Sequence, residues 1–327
     1  MSQYNRNSGP VSKSMSIILL IFFTAAISVA IAISLFSQST PPWSKGRNNP
    51  AADKGYLFPV PDVDNVPDLH GNPEDAKLVL FIGGNQFFVL PDLVAAFEKQ
   101  HPDLRGHIFY ETLPPGILLK QMESNNTISL GNFTLRVHPD VYEADFRVLT
   151  DMERQNLVEK PVSYATNGLS IMVSASNPKH IHSLLDLGRS DVHLSMPNPE
   201  WEGIAKQIGD SFRKAGGEPL FQNVYELKVQ NGSTYLTQIH HRQTAMRIMK
   251  GESDAGVTWS SEVRFQEKIG NPIAGIDIQQ DQNVTAVYGA AVLRNAPHPE
   301  AARAWVAFLN TFEAQAVYRD YGFGFSK

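Results

Sequence analysis

Apolar and polar positions along this chain follow two periods, and the places where one gives way to the other set out most of its organisation. Residues Lys77–Gln100, KLVLFIGGNQFFVLPDLVAAFEKQ, hold both periods in one unit. The run up to Ile82 is apolar without interruption, as expected of a strand covered on both faces. Gly83-Gly84 ends it. Leu93, Val94, Ala96 and Phe97 then recur at helical spacing behind Pro91, a residue tolerated in a first helical turn. A loop joining such a strand to such a helix sits at the carboxyl edge of a sheet, where backbone N–H groups favour an anion or polar ligand. Gly84, Asn85 and Gln86 are therefore the first candidate ligand-binding residues.

The same unit recurs downstream. Gly106–Tyr110 predicts a strand, the following loop holds Thr112 and Pro115, and ILLKQMES predicts a helix. Phe133–Val137 and Pro139–Tyr142 read as strands, with Tyr142 directed at the same edge, and Asp151–Val158 reads as a helix. Val162–Ala165 and Leu169–Val173 are β-rich with no helix between them, which suits a crossing between domains. A second series follows: a short helix at His180–Leu187, a strand at Val192–Ser195, a Pro-rich loop with Trp201 and Glu202, and a helix from Ile204 to Ala215. Val224–Val229 predicts a strand, Leu236–Met249 a helix with Arg242 and Gln243 near its start, and the segment ending at Trp259 and Ser260 a strand. Val284–Val292 is a long β run that returns to the first domain, and Pro299–Tyr321 predicts one long closing helix. Repeated strand, loop and helix units predict an α/β fold of two lobes, each a mixed, mostly parallel sheet flanked by helices.

Two stretches stand outside this pattern. Met15–Phe36 is 22 residues without a charge, preceded by Arg6 and Lys13, long enough to span a hydrocarbon core of about 30 Å. It predicts a transmembrane signal anchor or a cleaved signal peptide, with residues 1–14 cytoplasmic and the bulk of the chain outside. Residues 37–76 are rich in Pro, Asn, Asp and Gly and predict an extended linker. Composition narrows function further. A net charge of −5 excludes nucleic acid as the main partner, and zero cysteines exclude disulfides, thiolate catalysis and Cys-ligated metals. Four Asn-x-Ser/Thr sequons, at Asn125, Asn132, Asn231 and Asn283, are too common a pattern to decide the compartment.

The order of these segments carries a family resemblance. LVLFIGGNQFFVLPDLVAAFEKQHP, MKGESDAGVTWSSEV and the closing VYGAAVLRNAPHPEAARAWVAFLNTFEAQAVYRDYGF together resemble the two-lobed solute-binding proteins of ABC importers, nearest to the molybdate-binding branch. The resemblance covers about Lys77 to Phe323. It implies lobe I at 77–163 and 284–327, lobe II at 164–283, two crossover strands, and a solute in the cleft between them. It also implies a periplasmic location or the outer face of the cytoplasmic membrane, a monomer, and delivery to an inner-membrane ABC permease. The family's first-loop serine corresponds to Asn85 and its second-loop serines to Thr112–Pro115. Its second-lobe amides fall near Trp201–Glu202 and Arg242–Gln243, and its aromatic hydroxyl at Trp259. These departures leave the ligand open between a molybdate-like oxyanion and a small organic anion, with Glu202 unfavourable to a bare dianion.

Other chemistry finds less support. Adjacent His240 and His241 would point about 100° apart on a helix, which argues against a shared metal and for surface or capping roles. Phe87, Phe88, Trp305 and Phe308 are expected in the core. No G-x-S-x-G elbow, paired-carboxylate motif or P-loop marks an enzyme, and no cofactor is expected. A membrane-tethered enzyme, accessory protein or sensor built on the same fold stays open as the alternative.

Overall fold

In a computed structural model of the chain, residues 55–56, 68–130, 133–238 and 240–325 are described, and the expected helix over 15–36 and most of the linker lie outside them. The first elements are the paired β1 (Gly55–Tyr56) and β2 (Leu69–His70), so the end of the expected linker belongs to a sheet. Then come β3 (Leu78–Ile82), α1 (Leu90–Gln100), β4 (Ile108–Glu111), α2 (Pro115–Glu123) and a hairpin of β5 (Thr127–Leu130) and β6 (Phe133–Arg136). β7 (Val141–Asp145), α3 (Phe146–Arg154) and β8 (Val162–Asn167) complete the first part of lobe I. Lobe II consists of β9 (Leu169–Ser174), β10 (Leu194–Met196), α4 (Ile204–Gln222), β11 (Thr234–Leu236), α5 (Gln243–Met249), β12 (Ala255–Trp259), α6 (Ser260–Lys268) and β13 (Ile273–Asp277). The chain then returns through β14 (Ala286–Val292) and ends in α7 (Pro299–Phe308) and α8 (Phe312–Asp320).

The lobe I sheet has the order β1-β2-β4-β3-β7-β14-β8, and the lobe II sheet β11-β10-β12-β9-β13. Both are mixed, but parallel pairing is not the majority that the repeated units predict. Among the described strands, only β3 with β4 and β7, and β10 with β11 and β12, run parallel. The crossover strands account for most of the difference: β8, β9, β13 and β14 all pair antiparallel with their neighbours, and β2 does so with β1 and β4. Gly168 alone separates β8 from β9, so the chain passes from one sheet to the other in a single residue.

Tertiary contacts override several local expectations. α3 starts at Phe146, ahead of the predicted 151–158, because Asp145 caps it by accepting the Arg147 N–H at 2.9 Å. Residues 224–229, predicted as a strand, are helical: Asn223–Leu227 is a π turn and Lys228–Gln230 a turn of α-helix. Buried Val224 and Lys228, four apart, lie on one face, and the Lys228 ammonium donates to the carbonyls of Arg189 and Val192, both at 2.6 Å. The predicted helix 236–249 begins instead as β11 and becomes helical only at Gln243. The closing helix is two helices, the second capped by Thr311, whose hydroxyl accepts the Ala314 N–H. Phe87, Phe88, Trp305 and Phe308 are all buried in the core.

Candidate functional site

Parallel strands gather their following loops at their carboxyl edges, and in this chain both sheets present those edges to one cleft. The cleft encloses about 680 Å³. Lobe I contributes Gly83–Gln86 after β3, Pro114–Gly116 after β4 and Glu143–Asp145 at the end of β7. Lobe II contributes Pro199–Gln207, His240, His241 and Trp259, while Tyr288 of β14 stands at the back. The lining is mainly apolar. The lobes come close at two glycines. A Cβ on Gly84 would lie 2.6 Å from the Thr112 carbonyl oxygen and 2.9 Å from the His240 ring, and one on Gly116 would lie 3.1 Å from the Trp201 carbonyl oxygen.

Of the residues predicted from sequence, Gly84, Asn85, Gln86, Pro115, Tyr142, Trp201, Glu202 and Trp259 line this cleft. Several of their polar atoms are already engaged. The Asn85 amide donates to the Tyr288 hydroxyl, and the Gln86 amide donates to the Tyr164 hydroxyl at 2.8 Å while its carbonyl accepts from Tyr318. The Tyr142 hydroxyl donates to the Pro115 carbonyl at 3.1 Å. Thr112, Arg242, Gln243 and Ser260 are not among the lining residues. Thr112 bonds Asp68 through both its N–H and its hydroxyl. The Gln243 side chain accepts the Gln238 N–H at 3.2 Å, and the Ser260 N–H is held by the Gly168 carbonyl at 2.9 Å. Arg242 lies against the Phe87 ring, 4.7 Å from its centroid, and donates to Asp68 at 2.6 Å.

Two internal carboxylate clusters adjoin the cleft, and both involve residues for which another role is expected from sequence. Asp68, from the expected linker, stands on the lobe I side and reaches His240 at 3.1 Å as well as Arg242, so it bridges the lobes. Burial raises the pKa of its carboxyl, but the His240 and Arg242 charges and hydrogen bonds outweigh this and hold it well below the usual carboxylate range. Glu202 accepts from the Asn198 N–H, the Thr237 hydroxyl, and both the N–H and Nδ1 of His241. The far side of the His241 ring meets Glu262 at 3.0 Å. Burial alone would lower His241; the Glu262 charge and the Glu202 hydrogen bond lift it to about 10, so it is an imidazolium between two carboxylates. His240 and His241 are thus buried and paired, 2% and 9% exposed, not surface or capping residues.

At the floor, Glu143 is fully buried and accepts from the Trp305 indole and the Tyr164 hydroxyl, both at 2.7 Å, and burial pushes it up to about 7. A lone glutamate in the apolar run of β7 was the one sequence signal for it. Asp68 and Glu262 had none, since their partners come from more than a hundred residues away in one case and from a neighbouring loop in the other. No group of acidic and histidine residues suited to a metal ion occurs among the described residues.

Loops from both sheets of the two-lobed α/β body thus meet around one cleft. The sequence profile of the family described as bacterial extracellular solute-binding protein matches residues 78–324. The chain belongs to that family. This solute-binding protein is 25% identical over 169 residues to the molybdate-binding protein ModA of Mycobacterium tuberculosis, a match that takes in 51% of the chain and 58% of that relative's length. Its fold is shared with the periplasmic molybdate-binding protein of Azotobacter vinelandii, at a TM-score of 0.60 and 14% identity over 76% of this chain and 100% of that one. PEB3 with bound L-phospholactate, a protein of Campylobacter jejuni, gives a TM-score of 0.56 at 13% identity over 76% of this chain and 100% of its own. Members of the family are solute carriers of ABC importers outside the cytoplasm, and the sequence relatives are of the molybdate-binding kind. No helix of the described residues is long and apolar enough to cross a membrane.

Proposed function

We propose that this chain captures a small organic solute in the interlobe cleft and delivers it to an ABC permease, with residues 15–36 directing it out of the cytoplasm. One observation carries the reading: loops from the carboxyl edges of two separate sheets line a single cleft of about 680 Å³, within the range of small-molecule sites of roughly 300–1,000 Å³. Among the described residues the sheets are joined where β8 passes into β9 and β13 into β14, so lobe I is taken to run to Gly168 and to resume at 284, lobe II as 169–283, the boundary lying at Gly168 rather than 164 because all of β8 belongs to the first sheet, and closure as a hinge about these strands. Asn85, Tyr142, Trp201 and Trp259 are the side chains assigned to solute contact. Trp201, Trp259, Tyr288 and Phe221 among the lining residues favour an organic solute over molybdate. Thermal melts against a panel of solutes, paired with small-angle scattering, test the reading. A solute that raises the melting temperature and compacts the protein supports it. Neither effect with any solute, alongside normal folding, refutes it.

A further inference from the structure

The short arm ahead of β2 does more than extend a sheet, because it is fixed to one lobe and reaches the other. β2 pairs with β4 through Leu69 with Glu111 and His70 with Tyr110, the Asp68 carbonyl accepts the Thr112 N–H at 2.9 Å, and the His70 ring stacks on Tyr110 with centroids 4.3 Å apart. Just beyond, Gly71 has a φ of 88°, and a Cβ there would collide with the Ile108 carbonyl oxygen, so glycine is what lets the arm lie against β4. The backbone of Asp68 is thereby held to lobe I.

Its carboxylate serves both lobes. One oxygen accepts from the Arg242 guanidinium at 2.6 Å and from the Thr112 hydroxyl at 3.3 Å, and the other meets the His240 ring at 3.1 Å. His240 and Arg242 belong to the turn that opens α5, where the Gln243 N–H donates to the His240 carbonyl at 3.1 Å. The Arg242 guanidinium also lies over the Phe87 ring of lobe I, and beside it Phe88 stacks on Phe265 of α6 at 4.8 Å. Three groups from two lobes thus converge on one carboxylate, as they would on a bound anion, except that this anion is part of the chain. Attachment makes its binding intramolecular, so it needs no capture from solution, and charge-assisted bonds of this kind are stronger than neutral ones. We propose that Asp68 is a tethered anion that straps lobe II to lobe I and keeps the solute-free cleft closed. The strap goes beyond solute capture and sets its starting point: opening the cleft has to free Arg242 and His240 from Asp68, so a solute changes the shape of the wild type less than that of a variant without the strap.

The test needs no solute. The full chain has no cysteine, so Lys120→Cys in lobe I and Gln230→Cys in lobe II, both at exposed positions, take a pair of spin labels whose separation reports lobe opening. Asp68→Ala is expected to lengthen that separation by more than about 2 Å, the scale of a domain rearrangement. Sodium formate supplies the missing carboxylate and should restore the wild-type separation, whereas sodium chloride at equal ionic strength, which only screens, should not. Arg242→Gln cuts the strap from the lobe II side and should open the lobes without responding to formate; it gives the reading if Asp68→Ala does not fold. An unchanged separation overturns the proposal and leaves Phe87 and Phe88 against Phe265 to hold the lobes. An opening of Asp68→Ala that formate does not reverse, or that chloride reverses equally, overturns it as well. None of these outcomes bears on solute capture, which is read only with solutes present.

Discussion

Asp68→Asn is the sharpest probe of how the lobes are held together. The substitution keeps the shape of the side chain and removes the charge that faces Arg242 at 2.6 Å and His240 at 3.1 Å. Both partners are nearly buried, with side chains 3% exposed, whereas Asp68 is 21% exposed. A charge-assisted hydrogen bond contributes about 1.5–3 kcal/mol, and breaking a fully buried pair costs about 3–5 kcal/mol. Partial exposure puts this case near the boundary, at about 3 kcal/mol. For a body of this size that is roughly 6–12 °C of melting temperature at pH 7. The pH dependence has a definite sign. The Asp68 pKa is depressed in the folded state, so its stabilisation is present above the unfolded carboxylate value near 4 and is lost as pH falls through the lower folded value. The gap between wild type and Asp68→Asn should therefore begin to narrow below about pH 4. Melts from pH 3 to 8, with Arg242→Gln and the double variant completing a thermodynamic cycle, measure both effects. A fall of less than about 2 °C at pH 7, or a coupling energy near zero, refutes the clamp.

Other consequences can be checked by similar means. Gly84→Ala should destabilise by about 1–3 kcal/mol, because its Cβ meets backbone at Thr112 and the confined His240 ring; an unchanged melting temperature would contradict the close approach. Glu143 is lifted to about 7, so the stability it contributes is present below the unfolded value near 4.3 and lost as pH rises through about 7. Stability curves of wild type should fall across that window, and those of Glu143→Gln should be flatter. His241 is lifted to about 10, so its stabilisation is present below 6.5 and lost as pH climbs through about 10. His241→Gln should cost about 3–5 kcal/mol at pH 7 by chemical denaturation, with the difference narrowing in strong alkali; equal stability at pH 7 would contradict the imidazolium.

The parts of the fold legible in the sequence were those with local causes. Apolar runs followed by glycine and a helical period located β3 and α1, and the β-rich pair around Gly168 located the passage between sheets. Legibility failed where distant contacts chose the structure. Residues 224–229 contain the β-branched residues of a strand, but burying Val224 and Lys228 on one side requires a helix, and the carbonyls that receive Lys228 lie on another segment. The antiparallel crossovers followed from which strands met, not from any one strand's composition. The site divides the same way. Loop position pointed to Asn85, and the family resemblance to Trp201 and Trp259, all of which line the cleft, while Arg242 is held by Asp68, a residue that sequence placed in a linker. Adjacent histidines looked like surface residues because nothing local announces Glu202 and Glu262 on either side of His241.

The position of β14 has a consequence for how the protein is made. It lies between β7 and β8 in the lobe I sheet, yet it is the last strand in the chain to be synthesised. Lobe II is one continuous stretch and has all its strands as soon as β13 emerges, whereas β7 and β8 wait with unpaired edges until the chain has run through the whole of lobe II. Exposed strand edges are templates for pairing with other chains, and domains otherwise tend to fold in order of synthesis. The nascent protein therefore completes its second lobe first and spends that interval with the first as its aggregation-prone part, and a truncation that removes β14 should leave lobe II folded beside an unfinished lobe I.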